Sequence, residues 1–310
     1  MIHDLETLPA IGPAAMTLGV FDGVHRGHLA LLGATARAAE QHGIASVALV
    51  FDPHPDEVVR PGTVVPRLAP LASVLDWIKA DAGISHPLAL RFDAELRQRT
   101  AEEFLAALAP AIELRALVMT PDAAFGRGRG GTVERMRELG ANGGFEVIVV
   151  EPQTEGGEAV SSTRIRAAIA AGDVGLARSL GRAPRLEGTV VEGDHRGRSL
   201  GFPTANLAFD YVPAMPALGI YVGEVAVPER GVGPGHPALI SVGVRPTFHD
   251  EGTVLVEANL LDFDGDLYGA GLKLDLLERL RDERRFADVD SLVAQMRRDE
   301  AAARHYLGIA

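Results

Sequence analysis

His25 and His28 close the stretch Gly19-Val20-Phe21-Asp22-Gly23-Val24-His25-Arg26-Gly27-His28, an H-x-G-H spacing just ahead of an Ala- and Leu-rich run. Two imidazoles beside a phosphate chain can donate hydrogen bonds as charge builds on phosphorus. Gly19, Gly23 and Gly27 allow the backbone to approach a ligand closely. A helix starting after the turn adds unpaired N–H groups and a positive dipole end, which favour phosphate. Displacement at phosphorus is catalysed largely by such positioning and electrostatic stabilisation. The same ten residues also fit a glycine-rich turn with two surface histidines.

A second cluster lies far downstream. Gly193, Gly197 and Gly201 flank Asp194-His195-Arg196 and Arg198, and Gly201 leads into Phe202-Pro203-Thr204-Ala205-Asn206. A loop of this kind can fold over a phosphate chain with backbone amides as donors. Thr204 and Asn206 point to one side of an extended chain. Their hydroxyl and amide oxygens suit Mg²⁺, which keeps water and substrate phosphates in its shell. The alternative is a plain glycine-rich hairpin. Glu257 sits in the strand-like run 254–261, whose two faces are both largely apolar. Partial burial there suits a carboxylate to accept a hydroxyl proton. The other reading is a rim carboxylate paired with an arginine. A third group, Ser161-Ser162-Thr163-Arg164-Ile165-Arg166, opens a helix. Ser162 or Thr163 can cap it, and with Arg166 they can grip phosphate oxygens. Two such clusters in one chain suggest two consecutive ATP reactions on one small molecule.

The elements that position these residues change character along the chain. Runs at 17–21, 46–51, 117–119 and 145–150 are apolar strands, with helices over 29–42, closed by Gly43, and 101–108. Buried strands alternating with helices indicate a parallel sheet covered on both faces. Short helices follow over 163–171 and 174–180, and 181–185 reads as a linker. Strand-like runs at 186–191, 220–227, 239–244, 254–261 and 272–277 are then broken by Gly and Pro. That spacing predicts an antiparallel barrel or sandwich. A final amphipathic helix spans 290–307, capped by Asp290, with Leu292, Met296, Ala303 and Leu307 on one face. The predicted division is therefore α/β over 1–181 and β over 182–310.

Composition narrows the classes. The 310 residues are 47% hydrophobic and include no cysteine, which excludes disulfides, Fe–S clusters and Cys-ligated zinc. The net charge of −12 argues against nucleic acid as a partner. No apolar run approaches the ~20 residues that cross a bilayer. The start lacks a basic leader region, so a cytoplasmic location without membrane association is expected. The two lysines, Lys79 and Lys273, follow no glycine loop, so a P-loop lysine is excluded.

Residues 17–28, then Phe51-Asp52-Pro53-His54-Pro55, then Ser161 to Arg166 resemble, in this order, the FAD synthetase module of the bacterial bifunctional riboflavin kinase/FMN adenylyltransferases. Leu186 to Leu207, Leu218 to Tyr221, Ser241 to Phe248, Val256-Glu257, Asp262 to Gly269 and Leu280 to Phe286 resemble its riboflavin kinase module. The resemblance covers nearly the whole chain. It implies a Rossmann-like HxGH nucleotidyltransferase domain followed by a six-stranded antiparallel β-barrel with a C-terminal helix. It implies FMN made from riboflavin and ATP, then FAD made from FMN and a second ATP with release of pyrophosphate.

In the first module the resemblance implies that Gly19, Phe21, Asp22, Gly23, His25, His28, Ser162, Thr163 and Arg166 serve ATP. His25, His28 and Arg166 would stabilise charge at phosphorus, and Phe51, His54, Asp122 and Phe125 would meet the flavin. In the second it implies Gly193, Gly197, Arg198, Gly201, Pro203, Thr204 and Asn206 for Mg²⁺-ATP. Glu257 would be the base, and Arg281 would lie near the flavin. One segment departs: Thr120 and Ala123 stand where the family carries Gly and Phe in a flavin loop, which bears on flavin packing rather than nucleotide binding. Two other readings fit the scaffold: a kinase with a weak or re-specialised second half, and a flavin-sensing protein without catalysis.

Overall fold

The structure is a computed structural model that describes residues 1–193, 202–244 and 254–309. Its contacts divide into two compact units. The first comprises Met1–Val65 and Pro70–Ser162, the second Pro66–Ala69 and Thr163–Ala310.

In the first unit strands and helices alternate as expected. The order is β1 (Ile2–His3), β2 (Gly12–Gly19), α1 (Arg26–His42), β3 (Ala45–Asp52), α2 (Pro55–Val59), α3 (Leu71–Ala82), β4 (His86–Arg91), α4 (Ala94–Gln98), α5 (Ala101–Leu108), β5 (Ile112–Met119), α6 (Val133–Gly143) and β6 (Glu146–Val149). A two-residue-per-strand hairpin, β7 (Thr154–Glu155) and β8 (Glu158–Ala159), precedes α7 (Ser162–Ala171). The sheet is ordered β1-β4-β3-β2-β5-β6 and all its pairings are parallel. Its middle strands carry buried residues on both faces, among them Ala14, Ala15, Met16, Val47, Ala48, Leu49, Ala116 and Leu117. The strand order reverses between β2 and β5. In such sheets the crevice at the carboxyl ends of the strands around the reversal binds ligands.

Two sequence expectations shift here. The first strand was expected to run through Phe21; it ends at Gly19, because Phe21, Gly23 and Val24 take φ of 52°, 75° and 41°. The helix expected from Leu29 starts at Arg26, so His28 lies within its first turn.

In the second unit, β9 (Arg185–Val191), β10 (Ala205–Ala208), β11 (Gly219–Val227), β12 (Val232–Val244), β13 (Val254–Leu260) and β14 (Gly271–Arg281) close into a barrel ordered β10-β13-β12-β11-β14-β9. Every pairing is antiparallel, and closure leaves no sheet edge. The interior is filled by alternate residues of each strand: Leu186, Val190, Leu207, Tyr221, Ile240, Val256, Ala258 and Leu274. The barrel is therefore a packed core, and polar alternates such as Asn206, Ser241 and Glu257 face outward.

The helix α8 (Val174–Leu180) belongs to this unit, with Val174 packed into the barrel cluster. The segment expected as a linker is docked: Pro184 accepts from the Leu276 amide at 2.9 Å, and Arg185 pairs with Asp275 at 2.6 and 2.7 Å. The last helix, α9 (Val289–Leu307), is capped by Asp288, whose side chain accepts from the Ser291 amide. Asp290, expected as the cap, is in the first turn instead.

Candidate active sites

In the first unit the turn after β2 builds a compact histidine pair. His25 is the N-cap of α1, and its Nδ1 accepts from the His28 amide at 3.3 Å. The two rings stack at 3.6 Å between centroids, with 16° between planes. The Phe21 ring, buried by its left-handed backbone, meets the His28 ring edge-on at 5.3 Å. His25 and Asp22 are buried, so this is not a turn with two surface histidines. The tightness accounts for Gly27, where a Cβ would stand 3.2 Å from the His25 ring. Gly23 supplies a positive φ.

Burial, and secondarily the neighbouring His25, pushes the His28 imidazole well below its usual 6.5. His28 is therefore neutral near pH 7. His28 Nδ1 is buried with no hydrogen-bond partner among the described residues.

Ser162 donates its hydroxyl to the Asp22 carbonyl at 3.0 Å, which ties the start of α7 to the histidine turn. Since α7 begins at Ser162 itself, neither Ser162 nor Thr163 stands before the helix as its cap. Thr163 is exposed, and Arg166 is half-buried, its Nε donating to the Pro66 carbonyl at 2.7 Å within the second unit.

The residues assigned to flavin in this unit stand at the carboxyl ends of β3 and β5, on either side of β2. Phe51 is half-buried against Phe92, with centroids 5.3 Å apart. His54 caps α2 by accepting from the Asp56 amide at 3.1 Å. Asp122 is exposed and accepts the Thr120 hydroxyl at 2.8 Å, so Thr120 has a local role in shaping this loop. Phe125 packs edge-on against Phe104 at 5.3 Å, and Ala123 also leans on the core. Gly126 (φ 73°) has no room for a Cβ, which would stand 2.8 Å from the Ala101 amide nitrogen.

In the second unit, register assembles the site. Ser241 of β12 is the direct partner of Glu257 of β13, and Glu257 is the direct partner of Asn206 of β10. The three form one row across the outer wall of the barrel. Directly opposed residues hold their Cβ atoms about 4.5–5.5 Å apart. Asn206 is buried, while Glu257, Ser241 and Thr204 are half-buried and Pro203 is exposed. Asn259 anchors the preceding turn by donating to the Pro203 carbonyl at 2.7 Å. Gly193 has no space for a side chain, since a Cβ there would overlap the Asn206 amide. Gly197, Arg198 and Gly201 lie outside the described residues, as do 245–248.

This row opens into a cavity of about 950 Å³ between the barrel wall and α9. Thr204, Asn206, Glu257, Arg281, Glu283 and Met296 are among its lining residues. Arg281 is engaged with Asp299 of α9. Ser241 and Glu283 were not anticipated from sequence. Glu283 lies so close over Gly243 that a Cβ there would stand 2.7 Å from its Oε1. The alternation of β12 marks Ser241 as outward-facing, but only register makes it a neighbour of Glu257.

Comparisons with known proteins find matches to both halves of the chain. The FAD synthetase family model matches residues 9–164, and the riboflavin kinase model matches residues 180–307. A bifunctional riboflavin kinase/FMN adenylyltransferase of Escherichia coli K12 is 35% identical, over 99% of this chain and 97% of its own. That of Pseudomonas fluorescens is 37% identical, over 98% and 95%. A crystal structure from Streptococcus pneumoniae, reported as a macrolide-efflux protein, is 31% identical with a TM-score of 0.87, over 98% and 97% of the two chains. Its name concerns that protein alone; among the described residues of this chain no helix is long and apolar enough to cross a membrane. Two family models in the expected order, and relatives that match from end to end, establish that the chain belongs to the bifunctional riboflavin kinase/FMN adenylyltransferases, enzymes that use ATP to convert riboflavin to FMN and FMN to FAD.

Proposed function

We propose that the row Ser241–Glu257–Asn206 is the centre of the kinase reaction and the stacked His25–His28 pair the centre of the adenylyl transfer. The observation that carries the first assignment is the register that sets Glu257 directly opposite Asn206 on the cavity wall. Glu257 takes the proton of the riboflavin 5′-hydroxyl as that oxygen attacks the γ-phosphorus of ATP. The γ-phosphoryl is transferred and ADP leaves.

Thr204 and Asn206 fit Mg²⁺ held jointly with a nucleotide. They are neutral hard-oxygen donors two apart, and Asn206 is kept in place by the close approach of Gly193. Two protein oxygens leave room for water and phosphates in the metal's shell. Among the described residues no cluster of acidic, His or Cys side chains could hold a metal by itself, which suits an ion that arrives with ATP. Bound there, Mg²⁺ would neutralise charge on the β- and γ-phosphates.

Adenylyl transfer needs no base, because the attacking FMN phosphate is already anionic. It attacks the α-phosphorus of ATP, and pyrophosphate leaves. His28 and His25 stabilise the charge that builds there, helped by the first amides of α1. An unpartnered buried nitrogen such as His28 Nδ1 is uncommon and calls for an explanation. It supports reading the ring as one held in place for a ligand.

Chromatography of products from riboflavin and Mg²⁺-ATP separates the two assignments. Glu257→Gln is expected to nearly abolish FMN formation and to leave FAD formation from supplied FMN. His28→Ala is expected to spare FMN and to cut FAD formation by about 10²–10³, the usual loss for one preorganised stabiliser. Near-parental FMN formation by the first variant, or FAD formation within a few fold by the second, would remove that residue from its role.

A further inference from the structure

The first half of α9 flanks the kinase cavity, with Leu292 and Met296 in its lining. Residues 289–298 include no buried residue; the first is Asp299, a carboxylate. Asp299 continues the stripe Leu292–Met296–Ala303–Leu307 at helical spacing, where an apolar residue would be expected. Arg281 Nε donates to its two oxygens at 3.0 and 3.1 Å, and Nη2 donates at 2.6 Å. Gln295 donates to Asp299 Oδ1 at 2.7 Å and accepts from Arg298 at 2.7 Å. Arg281 Nη1 donates to the Asp282 carbonyl at 2.9 Å. The guanidinium is thus held at three nitrogens, with one N–H on each Nη beyond these bonds.

Docking alone does not account for this network. Beyond Asp299 the helix is already fixed by buried Ala303, packed with Val222, Leu239 and Leu261, and by Arg304 bonded to Asp262. Arg178 reaches the Tyr306 hydroxyl at 3.0 Å. A buried ion pair is a poor way to add stability, because desolvation offsets most of its attraction and an apolar pair often serves as well. What the pair does supply is a planar donor in a set orientation on the wall of a ligand cavity.

We propose that Asp299 and Gln295 are positioning residues of the riboflavin kinase site, holding Arg281 as a preorganised donor to riboflavin. The inference rests on the assignment of Arg281 to the flavin side of this cavity. A guanidinium without Asp299 samples other rotamers, and riboflavin binding must then order it.

The test is steady-state kinetics of the full-length enzyme with riboflavin and Mg²⁺-ATP, alongside melting curves. Asp299→Asn is expected to raise the KM for riboflavin about tenfold, the scale of one charge-assisted hydrogen bond. The kcat and the KM for ATP should stay near parental, as should FAD formation from FMN. Gln295→Ala keeps the ion pair and should raise the same KM by a smaller factor. A lowered melting temperature with an unchanged riboflavin KM would make the network purely structural and overturn the proposal. Should Asp299→Asn not fold, Gln295→Ala decides by the same criterion. Arg281→Met tests the underlying assignment separately: an unchanged riboflavin KM there removes Arg281 itself from the site, whatever Asp299 does.

Discussion

His28 departs from an ordinary surface imidazole in its protonation. Burial, and then the stacked His25 ring, lowers its pKa well below 6.5 in the folded chain. An unfolded chain takes up this proton near the usual imidazole value of about 6.5. The folded state then binds fewer protons than the unfolded one at acid pH. The ring's contribution to stability is therefore intact above about pH 6.5 and is lost as pH falls toward the folded-state value. Melting curves between about pH 5 and pH 7.5 should show the parent losing more on acidification than His28→Asn. A constant gap between the two would mean that the ring does not titrate in this way. Glu257 differs in being half-exposed on a barrel wall, where neighbours across the strands set its position.

Among the elements, β10 and the residues before it show how packing constrains Asn206, the proposed Mg²⁺-nucleotide ligand. Gly193 was read from sequence as part of a phosphate-cradling loop; its place in the structure also gives it a steric task. The Asn206 amide fills the space that a side chain at 193 would need. Gly193→Ala must therefore displace Asn206 or bend the chain. A misplacement near 1 Å costs about 10² in rate when geometry is the catalyst. The expected result is a fall of about that size in kcat/KM for ATP in the kinase reaction, with FAD formation from FMN unchanged. Parental kinase kinetics in this variant would separate Asn206 from nucleotide handling.

The whole molecule divides earlier along the chain in its contacts than in its motifs. The contact boundary lies between Ser162 and Thr163, whereas the turn at 181–185 looked from sequence like the linker. The helix α8 explains the difference, because Val174, Ala177 and Leu180 are buried and Arg178 bonds to the Leu277 carbonyl of β14. A fragment spanning 163–310 is expected to fold and to phosphorylate riboflavin without making FAD. A fragment spanning 182–310 should melt lower, since each buried Val or Leu contributes about 1.5–3 kcal/mol. Equal melting temperatures would show that α8 adds nothing to the barrel. A folded but inactive longer fragment would show that the kinase needs the first unit.

Periodicity and motifs determined much of this protein from sequence. Near-continuous apolar strands between helices indicated a parallel sheet, and short strands between Gly and Pro indicated an antiparallel barrel or sandwich. Motif order identified the family. Elements without a strong pattern escaped notice, such as the two-residue β1 and the helix α3. Tertiary structure alone decided which outward residues become neighbours. Alternation assigns Ser241, Glu257 and Asn206 to a face, but a strand's period of two is the same in every register, and closure of the barrel selected one. It also decided that His25 caps α1, since Phe21, Gly23 and Val24 turn the chain before the helix starts. Asp299 is the clearest case. Its sequence signal, one acid in an apolar stripe, carries no meaning until β14 brings Arg281 across from it. Local patterns follow from interactions between near neighbours in the chain, whereas partners 18 residues apart, as here, or further are chosen by packing of the whole unit.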